Sequence, residues 1–378
     1  MRFSPEQELL RRSVSEYART EIAPRIDEWS VEGRLPREAV RSLAALGAQG
    51  LLIDEAHGGM GAGLVEAGIF CEELGRVDPP LTLYVQLPAI VARILAGAEP
   101  AVADRWLPAI ADGSATPCFA LSEPGSGSDA AALGATARRK GDEWVLSGEK
   151  ASSSLAPEAD IAVVFARTGG PGPRGISTFA VPLDLPGVGR AEVTSSAERV
   201  TTRGSIFLDD VRIPADHLVG AEDGGFVHAM AAFDFNRALI GLVAVAGALE
   251  VIDRTVEHTK ARETFGKPLA ARQGIAFPLA EHVARLTATR SLAYEVLERA
   301  EAGLPHTAEA AMVKWMGPKD AVDAAHTCLL FHGWAGLDEG LGLAQRMLDL
   351  VAFEIGDGTA EIMKAVVARD LTGITVHR

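Results

Sequence analysis

The first 115 residues carry apolar side chains at helical spacing. Ser4, Pro5 and Gln7 form a helix start signal, with Ser4 as the N-cap, Pro5 at the first helical position and Gln7 completing a capping box. The apolar positions that follow recur with a helical period: Leu9, Leu10, Val14 and Tyr17. Similar patterns predict further helices: about Arg37 to Leu46, Leu64 to Leu74 and Pro88 to Ala96. Residues 1–115 are therefore predicted to form an N-terminal helical domain.

From residue 116 to about residue 220 the period of the apolar positions changes from 3.6 to 2, which is typical of strands. Five strands are predicted: Trp144 to Leu146, Ile161 to Arg167, Ser177 to Val181, Ser205 to Leu208 and Val211 to Ile213. Turns rich in Gly and Pro, such as residues 169–175, separate them. This part is predicted to form a small, mostly antiparallel β-barrel or sandwich.

From residue 221 onward the helical period returns, and the predicted helices are longer. They are Phe233 to Arg262, Phe277 to Ala302, Ala308 to Leu330, Gly340 to Phe353 and Ala360 to Leu371. Long helices with short connections are typical of an antiparallel bundle of the four-helix type. The predicted fold is thus mainly α with a central β domain, divided into 1–115, 116–220 and 221–378.

Composition narrows the classes of function. The chain has 378 residues, 48% of them hydrophobic, and a formal net charge of −15, which argues against binding to nucleic acid or anionic lipid. Cys71, Cys118 and Cys328 form no CxxC pair, and the histidines show no metal-ligand spacing, so we expect a reduced, cytoplasmic protein without a metal site. The longest apolar run, Ala238 to Leu249, is too short for a membrane span, and the N-terminus has no apolar signal region.

The stretch Phe119-Ala-Leu-Ser-Glu-Pro-Gly-Ser-Gly-Ser-Asp129 is poor in helix and strand formers and rich in hydrogen-bond donors. It is either a ligand-binding loop or an ordinary surface turn. Gly125 to Ala130 also fits the G-x-G-x-x-G/A dinucleotide fingerprint. However, Pro124 interrupts the approach, and a turn and a strand, not a helix, are predicted from Arg138 to Ser147, so a Rossmann domain is not expected.

The three predicted domains around this loop resemble the acyl-CoA dehydrogenase family over essentially the whole chain. Four motifs in family order carry the resemblance: Leu121-Ser-Glu-Pro-Gly-Ser-Gly-Ser-Asp129, Leu208-Asp-Asp-Val-Arg-Ile-Pro214, the Arg262-Glu-Thr-Phe-Gly266 run ending at Gln273, and Gly358-Thr-Ala-Glu361. The resemblance implies FAD and α,β-dehydrogenation of an acyl thioester. This chemistry requires a carboxylate base for the α proton, donors at the carbonyl oxygen, and a flavin that accepts a hydride from the β carbon.

The resemblance also implies roles for individual residues. Those implied to bind the cofactor are Leu121, Ser122, Gly127, Ser128, Ser152, Ser154, Arg262, Thr264, Phe265, Gln273, Gly333, Thr359 and Glu361. Those implied to bind the substrate are Ser128, Asp234, Arg237 and Gly358. Arg262 and its neighbours would reach the FAD of another subunit, which implies a dimer or a dimer of dimers. The alternatives are a solvated helix-end cation at Arg262 and a local i, i+3 ion pair between Asp234 and Arg237.

The chain departs from the family at the base. The family's usual Glu before Gly-Thr is Asp357 here, which is one methylene shorter, and the other family base position is Asn236, which cannot take a proton. Asp357 is therefore predicted to be the catalytic base. The alternative is that Asp357 caps the helix that begins near Ala360. Because a misplacement of about 1 Å can cost roughly a hundredfold in rate, the substrate should approach differently from a plain straight-chain acyl group.

Two further departures concern the flavin lining. The family's Trp-containing segment is Ser152-Ser-Ser154, and its Gln-x-x-Gly-Gly element reads Leu330-Phe-His-Gly-Trp334, where Trp334 could stack on FAD or obstruct it. The altered site would suit a cyclic, branched or steroid-side-chain acyl-CoA, or an acyl group on a carrier protein. The resemblance further implies an electron-transferring flavoprotein as the electron acceptor, and a role in lipid or secondary metabolism. The alternatives are a flavin monooxygenase or oxidase on the same fold and a non-catalytic subunit that assembles with a paralogue.

Overall fold

In the computed structural model, which describes residues 2–375, the chain begins with a helical layer. Its helices are α1 (Pro5–Tyr17), α2 (Ile26–Glu32), α3 (Arg37–Ala45), α4 (Leu64–Val77), α5 (Leu83–Leu95) and α6 (Pro100–Ala111). The predicted capping box is confirmed, because Ser4 Oγ accepts from the Gln7 N–H and Gln7 Oε1 accepts from the Ser4 N–H. Helices α2 and α6 were not predicted from the sequence.

A central sheet follows the helical layer. Its strands are β1 (Pro117–Ala120), β2 (Thr136–Lys140), β3 (Glu143–Ser154), β4 (Ile161–Arg167), β5 (Ile176–Pro182), β6 (Val188–Glu192), β7 (Arg203–Pro214) and β8 (Leu218–Val219). Their order is β6-β7-β3-β2-β4-β5-β8, with β1 beside β4. Pairing is antiparallel except for β1 with β4 and one bridge between β2 and β4. The prediction of a small, mostly antiparallel β domain is therefore confirmed, and no helix of a Rossmann unit follows Ala130 in this described region.

The two strands predicted at 205–208 and 211–213 are one strand, β7. The pairing between β3 and β7 shifts register between Leu146 and Gly148, and Asp210 has a positive φ of 49°. Ser147 Oγ donates to Asp210 Oδ1 at 2.7 Å across this irregularity. The extra residues bulge out of the strand and reverse the alternation of apolar positions, which is why the sequence pattern divides the strand in two.

The last part of the chain is a helical bundle with a small hairpin. Its elements are α7 (Gly225–Ala261), β9 (Glu263–Thr264), β10 (Lys267–Pro268), α8 (Gln273–Glu301), α9 (Thr307–Phe331), α10 (Leu343–Ile355) and α11 (Ala360–Thr372). Helix α7 has 37 residues and is therefore about 55 Å long. It is long and apolar enough to cross a membrane, but 89% of its most apolar stretch is buried against the rest of the protein. Packing in the bundle core thus accounts for its hydropathy.

Glycines let α7 and α9 cross closely near the functional site. A Cβ on Gly317 of α9 would lie 3.0 Å from the Gly241 Cα of α7, and a Cβ on Gly241 would lie 2.2 Å from Val313 Cγ1. Because neither position tolerates a side chain without a shift, this crossing fixes the two helices against each other. The crossing lies four residues after Arg237 and three after Lys314, two side chains that meet the same turn.

All three cysteines lie in the described part of the chain, and each is buried and unpaired. Burial raises the pKa of the Cys328 thiol to about 11 and the pKa of the Cys118 thiol to about 12. These thiols are therefore protonated core side chains and are not poised for redox chemistry.

Candidate active site

The turn between α10 and α11 presents Asp357. Asp357 has a positive φ of 53°, in the left-handed region that non-glycine residues rarely occupy. The N-cap of α11 is Thr359, with an extended backbone conformation. The alternative that Asp357 caps this helix is therefore wrong, and its strained conformation requires another explanation.

Three buried side chains from α7 and α9 hold this turn. Asn236 Nδ2 donates to Asp357 Oδ2 at 2.6 Å, and Arg237 Nε donates to the Asp357 carbonyl at 3.3 Å. Lys314 Nζ donates to the Gly358 carbonyl at 3.1 Å. The two cations bind the backbone of the turn, and the amide binds the carboxylate, so both the path of the turn and the direction of the Asp357 side chain are defined.

The charges around the turn are only partly compensated. Burial lowers the pKa of Lys314 to about 8, with opposing contributions from Asp357 and Arg237. Burial also lowers the pKa of Arg237, although Asp234 and Asp357 favour its charged form. Arg237 Nη1 lies 2.9 Å from Asp234 Oδ1, and Thr307 Oγ1 donates to the other Asp234 oxygen. Asp234 and Arg237 thus do form the local i, i+3 pair, and their contact with substrate stays a prediction.

Glu123 and Lys150 organise the loop after β1. Lys150 Nζ lies 2.6 Å from Glu123 Oε1 and also donates to the Leu121 carbonyl, and the Glu123 carboxylate accepts from the N–H groups of Gly134 and Ala135. Burial opposes ionisation of Glu123, but Lys150 and these N–H groups hold its pKa below the ordinary value. Burial lowers the pKa of Lys150 to about 8. Sequence reasoning assigned no role to this pair, which joins residues 27 positions apart.

The predicted flavin-contacting residues lie on this braced loop. Leu121 is buried, Ser122 is half-buried, and Gly127 and Ser128 are exposed. A Cβ added to Gly127 would meet no other atom of the protein within 4 Å, so this glycine is not required by packing within the chain. The Ser122 carbonyl accepts from the Ala151 N–H at 2.9 Å, which places the loop beside the end of β3.

Ser152 and Ser154 stand next to this contact. Ser152 is exposed, with a positive φ of 56°, and its carbonyl accepts from Arg203 Nη1 at 2.9 Å. Ser154 is half-buried and pairs with Arg203 in β7. The serine segment thus begins directly after Ala151, the residue that contacts the Ser122 loop. At Ser152, where the family pattern has an aromatic ring, the side chain is small and open to solvent.

Aromatic contacts join the Ser122 loop to the Asp357 turn. The ring of Phe119, at the end of β1, lies 5.6 Å from the ring of Phe233 on α7. The Arg237 guanidinium lies 5.5 Å from the Phe233 ring, and the same side chain reaches the Asp357 carbonyl. A series of contacts through Phe233 and Arg237 therefore connects residue 119, just before the loop, with the Asp357 turn.

The other predicted cofactor residues lie elsewhere in the same chain. Arg262 follows the last residue of α7, about 38 Å along the helix from Asn236. Phe265 is 95% exposed, with Gln273 exposed close by in the chain. Gly333 is exposed beyond the end of α9, beside Trp334, which is 87% exposed. Trp334 is therefore open to solvent and is not packed against Asp357 within the chain.

Thr359 and Glu361 lie at the start of α11. Thr359 is half-buried, and Glu361 is exposed, with a pKa lowered first by its own backbone N–H. The first-turn N–H groups of a 13-residue helix favour an anionic group, because they carry the positive end of the helix dipole. This helix end directly follows the Asp357-Gly358 turn, so the anion-binding end and the carboxylate belong to one segment.

Comparison with known proteins identifies the family of the chain. Models of the acyl-CoA dehydrogenase N-terminal, middle and C-terminal domains match residues 4–114, 118–211 and 223–372. The chain belongs to the acyl-CoA dehydrogenase family. The predicted fold is thereby confirmed, and the family's enzymes are oxidoreductases acting on CH–CH bonds.

Individual acyl-CoA dehydrogenase relatives cover nearly the full chain. A probable acyl-CoA dehydrogenase of Bacillus subtilis is 31% identical over 97% of this chain and 98% of that protein. A caffeyl-CoA reductase–Etf complex subunit of Acetobacterium woodii is 29% identical over 97% of this chain and 98% of that protein. A glutaryl-CoA dehydrogenase from Mycobacterium smegmatis, solved with FADH2, has a TM-score of 0.93 and 26% identity and covers 100% of this chain and 97% of that chain.

Proposed function

We propose that this protein catalyses the FAD-dependent α,β-dehydrogenation of an acyl thioester, with Asp357 as the base that removes the α proton. The observation that carries the proposal is the arrangement of Asp357. Its carboxylate lies on a turn held by three buried side chains, and the Phe119–Phe233 contact links that turn to the Ser122 loop. A carboxylate on a turn that is connected through Arg237 and Phe233 to a loop rich in hydrogen-bond donors suits removal of a proton next to a thioester carbonyl.

The residues present suit FAD. The Ser122 loop supplies open backbone and hydroxyl groups, the serine segment follows alongside it, and the N-terminus of α11 suits an anionic group. FAD, when bound, supplies the acceptor for the hydride from the β carbon. Asp357 takes the α proton, and in the reverse direction the protonated Asp357 returns it, which accommodates relatives described as reductases.

The remaining cofactor residues support an oligomer. Arg262 lies about 38 Å along α7 from Asn236, whose side chain bonds Asp357, and this is too far for Arg262 to share one FAD with Asp357 in the same chain. The resemblance assigns Thr264, Phe265, Gln273 and Gly333 to the same FAD as Arg262. We propose that they bind the FAD of a second copy in a homotetramer built as a dimer of dimers. Sedimentation should give a tetramer with one FAD per chain, and a FAD-loaded monomer would contradict this assignment.

The acyl group is proposed to be cyclic, branched or otherwise atypical, carried by CoA or a carrier protein. Asp357 reaches less far than Glu, and Ser152 leaves the flavin lining open, so both changes alter the space for the substrate. An electron-transferring flavoprotein is the proposed acceptor, and the Acetobacterium relative is described as part of an Etf complex.

The test is anaerobic reduction of the bound flavin. Purified protein should show a flavin spectrum that bleaches on mixing with one of butyryl-, isobutyryl- or cyclohexanecarbonyl-CoA. Asp357→Asn should slow this bleaching by about 10²- to 10⁴-fold, the usual contribution of a general base. The matched control is Asp370→Asn, at an exposed carboxylate of α11. Equal bleaching rates for Asp357→Asn and wild type would refute the role of Asp357.

A second candidate is a flavin monooxygenase or oxidase. The small, exposed Ser152 beside the Ser122 loop favours it, because it leaves room near the proposed flavin position. Substrate turnover that consumes oxygen and incorporates an ¹⁸O label would support this candidate. A third possibility, a non-catalytic subunit that needs a paralogue, rests on the exposed Leu330 and Trp334. It would be favoured by a colourless protein that gains flavin only on co-expression with such a partner.

A further inference from the structure

Asn236 occupies an unusual position for a buried amide. Its side chain is 4% exposed, and Nδ2 donates to Asp357 Oδ2 at 2.6 Å. Its Oδ1 is also buried and has no hydrogen-bond partner in the described part of the chain. Among the described side chains, Asn236 is the one that hydrogen-bonds the Asp357 carboxylate.

We propose that Asn236 is the positioning residue of the base and holds the Asp357 carboxylate in the direction from which it removes the α proton. The inference rests on the proposed function, in which Asp357 is that base. Asn236 itself takes no proton. Its amide acts through the carboxylate by fixing the orientation of the carboxylate, whose second oxygen has no partner among the side chains of residues 2–375.

A purely structural role for Asn236 does not explain the geometry. A buried amide oxygen without a partner destabilises the folded state, so an apolar residue of similar volume would suit this position better for stability alone. The backbone of the turn is already held, because Arg237 and Lys314 bind the carbonyls of Asp357 and Gly358. What these cations leave undefined is the side-chain direction of Asp357, and Asn236 defines it.

The short reach of Asp makes this constraint important. A carboxylate one methylene closer to the backbone has fewer orientations that reach a substrate carbon, so a rotation of its side chain removes it from reacting distance. The left-handed backbone at Asp357 is consistent with a segment constrained for function. Hydrogen bonding from a neighbouring helix then restricts the carboxylate to the productive orientation.

The experiment compares wild type, Asn236→Leu, Asp357→Asn and the double variant as FAD-loaded protein. The rate of flavin reduction is measured anaerobically with the fastest of butyryl-, isobutyryl- and cyclohexanecarbonyl-CoA and with its α-deuterated form. Thr289→Val, at a buried hydroxyl of α8 that has no described partner, is the matched control for loss of a buried polar group. FAD content and Tm are recorded for each variant.

The expected result for Asn236→Leu is a reduction rate about 10- to 100-fold lower, as for loss of a hydrogen bond to a charged group, with KM changed less than threefold. The α-deuterium isotope effect should rise, because proton removal becomes more fully rate-limiting. FAD content should be unchanged, and Thr289→Val should react like wild type. In the Asp357→Asn background, Asn236→Leu should have almost no further effect, because it acts through the carboxylate.

The outcomes separate the two proposals. A slow Asp357→Asn with a wild-type rate for Asn236→Leu overturns the positioning role alone. Additive effects in the double variant, or an unchanged isotope effect in a slow Asn236→Leu, also overturn it. Wild-type rates for both single variants, or a flavin that none of the three thioesters reduces, overturn the proposed function and the positioning role together. If Asn236→Leu does not fold, Asn236→Ala replaces it in the same comparisons.

Discussion

Lys314 gives the sharpest prediction for stability, because it is a buried charge to which no carboxylate of the described residues is bonded. The residue is 1% exposed, and Nζ donates to the Gly358 carbonyl. Burial lowers its pKa from the ordinary 10.5 to about 8. In the unfolded chain the pKa returns to its ordinary value, so the unfolded state binds more protons between pH 8 and pH 10.5. Stability from this group therefore rises with pH across that window.

The magnitude follows from the shift in pKa. At pH 7, where Lys314 is charged in both the folded and the unfolded state, burial of the charge costs about 3 kcal/mol. At pH 9.5, where Lys314 is mostly neutral in the folded state, the cost falls to about 1 kcal/mol. Lys314→Met preserves most of the volume and removes the titration, while the loss of the bond to Gly358 costs about 1–3 kcal/mol at any pH. The free energy of unfolding of Lys314→Met relative to wild type should therefore be about 2 kcal/mol more favourable at pH 7 than at pH 9.5.

Urea unfolding at pH 7 and pH 9.5, at one protein concentration and with saturating FAD, measures this difference. The matched control is Lys319→Met on the same helix. Lys319 is exposed and pairs with Asp323 at 3.0 Å, which raises its pKa instead of lowering it. Lys319→Met should therefore lack the pH dependence expected of Lys314→Met. A stability difference between Lys314→Met and wild type that is the same at both pH values would refute the burial argument.

Two further predictions concern groups outside the Asp357 turn. Glu123→Ala leaves the buried Lys150 ammonium without its partner and should destabilise the protein by about 3–5 kcal/mol in urea unfolding, with loss of FAD on gel filtration. Glu123→Gln should be milder, and a wild-type urea midpoint for Glu123→Ala would contradict the bracing role of the pair. Tyr294 donates to the buried carboxylate of Glu72 at 2.7 Å, so Tyr294→Phe should cost about 1–3 kcal/mol without changing the rate of flavin reduction. A changed rate would show that this pair influences the Asp357 site.

Short sequence patterns predicted two segments of the candidate site. The loop at 119–129 and the carboxylate at 357 were recognised from residue types and from the order of motifs. Helix α6 was missed, and it contains Pro100 at its first position and Pro108 inside. A proline at the first helical position is well tolerated, but an internal proline normally signals a break.

The contacts that make a site of these segments could not be predicted. Asn236 was recognised only as a residue that cannot be a base, and its bond to Asp357 spans 121 positions. Nothing in the sequence distinguished Lys314 except that it is a lysine among the buried positions of α9. Nothing in the sequence indicated that Glu123 and Lys150 form an ion pair.

Hydrophobic periodicity is a local property, because it shows which face of each helix or strand is buried away from water. The sequence alone therefore determined the main elements and the three-part fold that they form. Distances between elements depend on how closely they pack. The Gly241–Gly317 crossing brings α7 against α9, and with them Arg237 and Lys314 against one turn. That packing decided which polar groups surround Asp357, because side chains far apart in the sequence come into contact only when the helices that carry them are packed against each other.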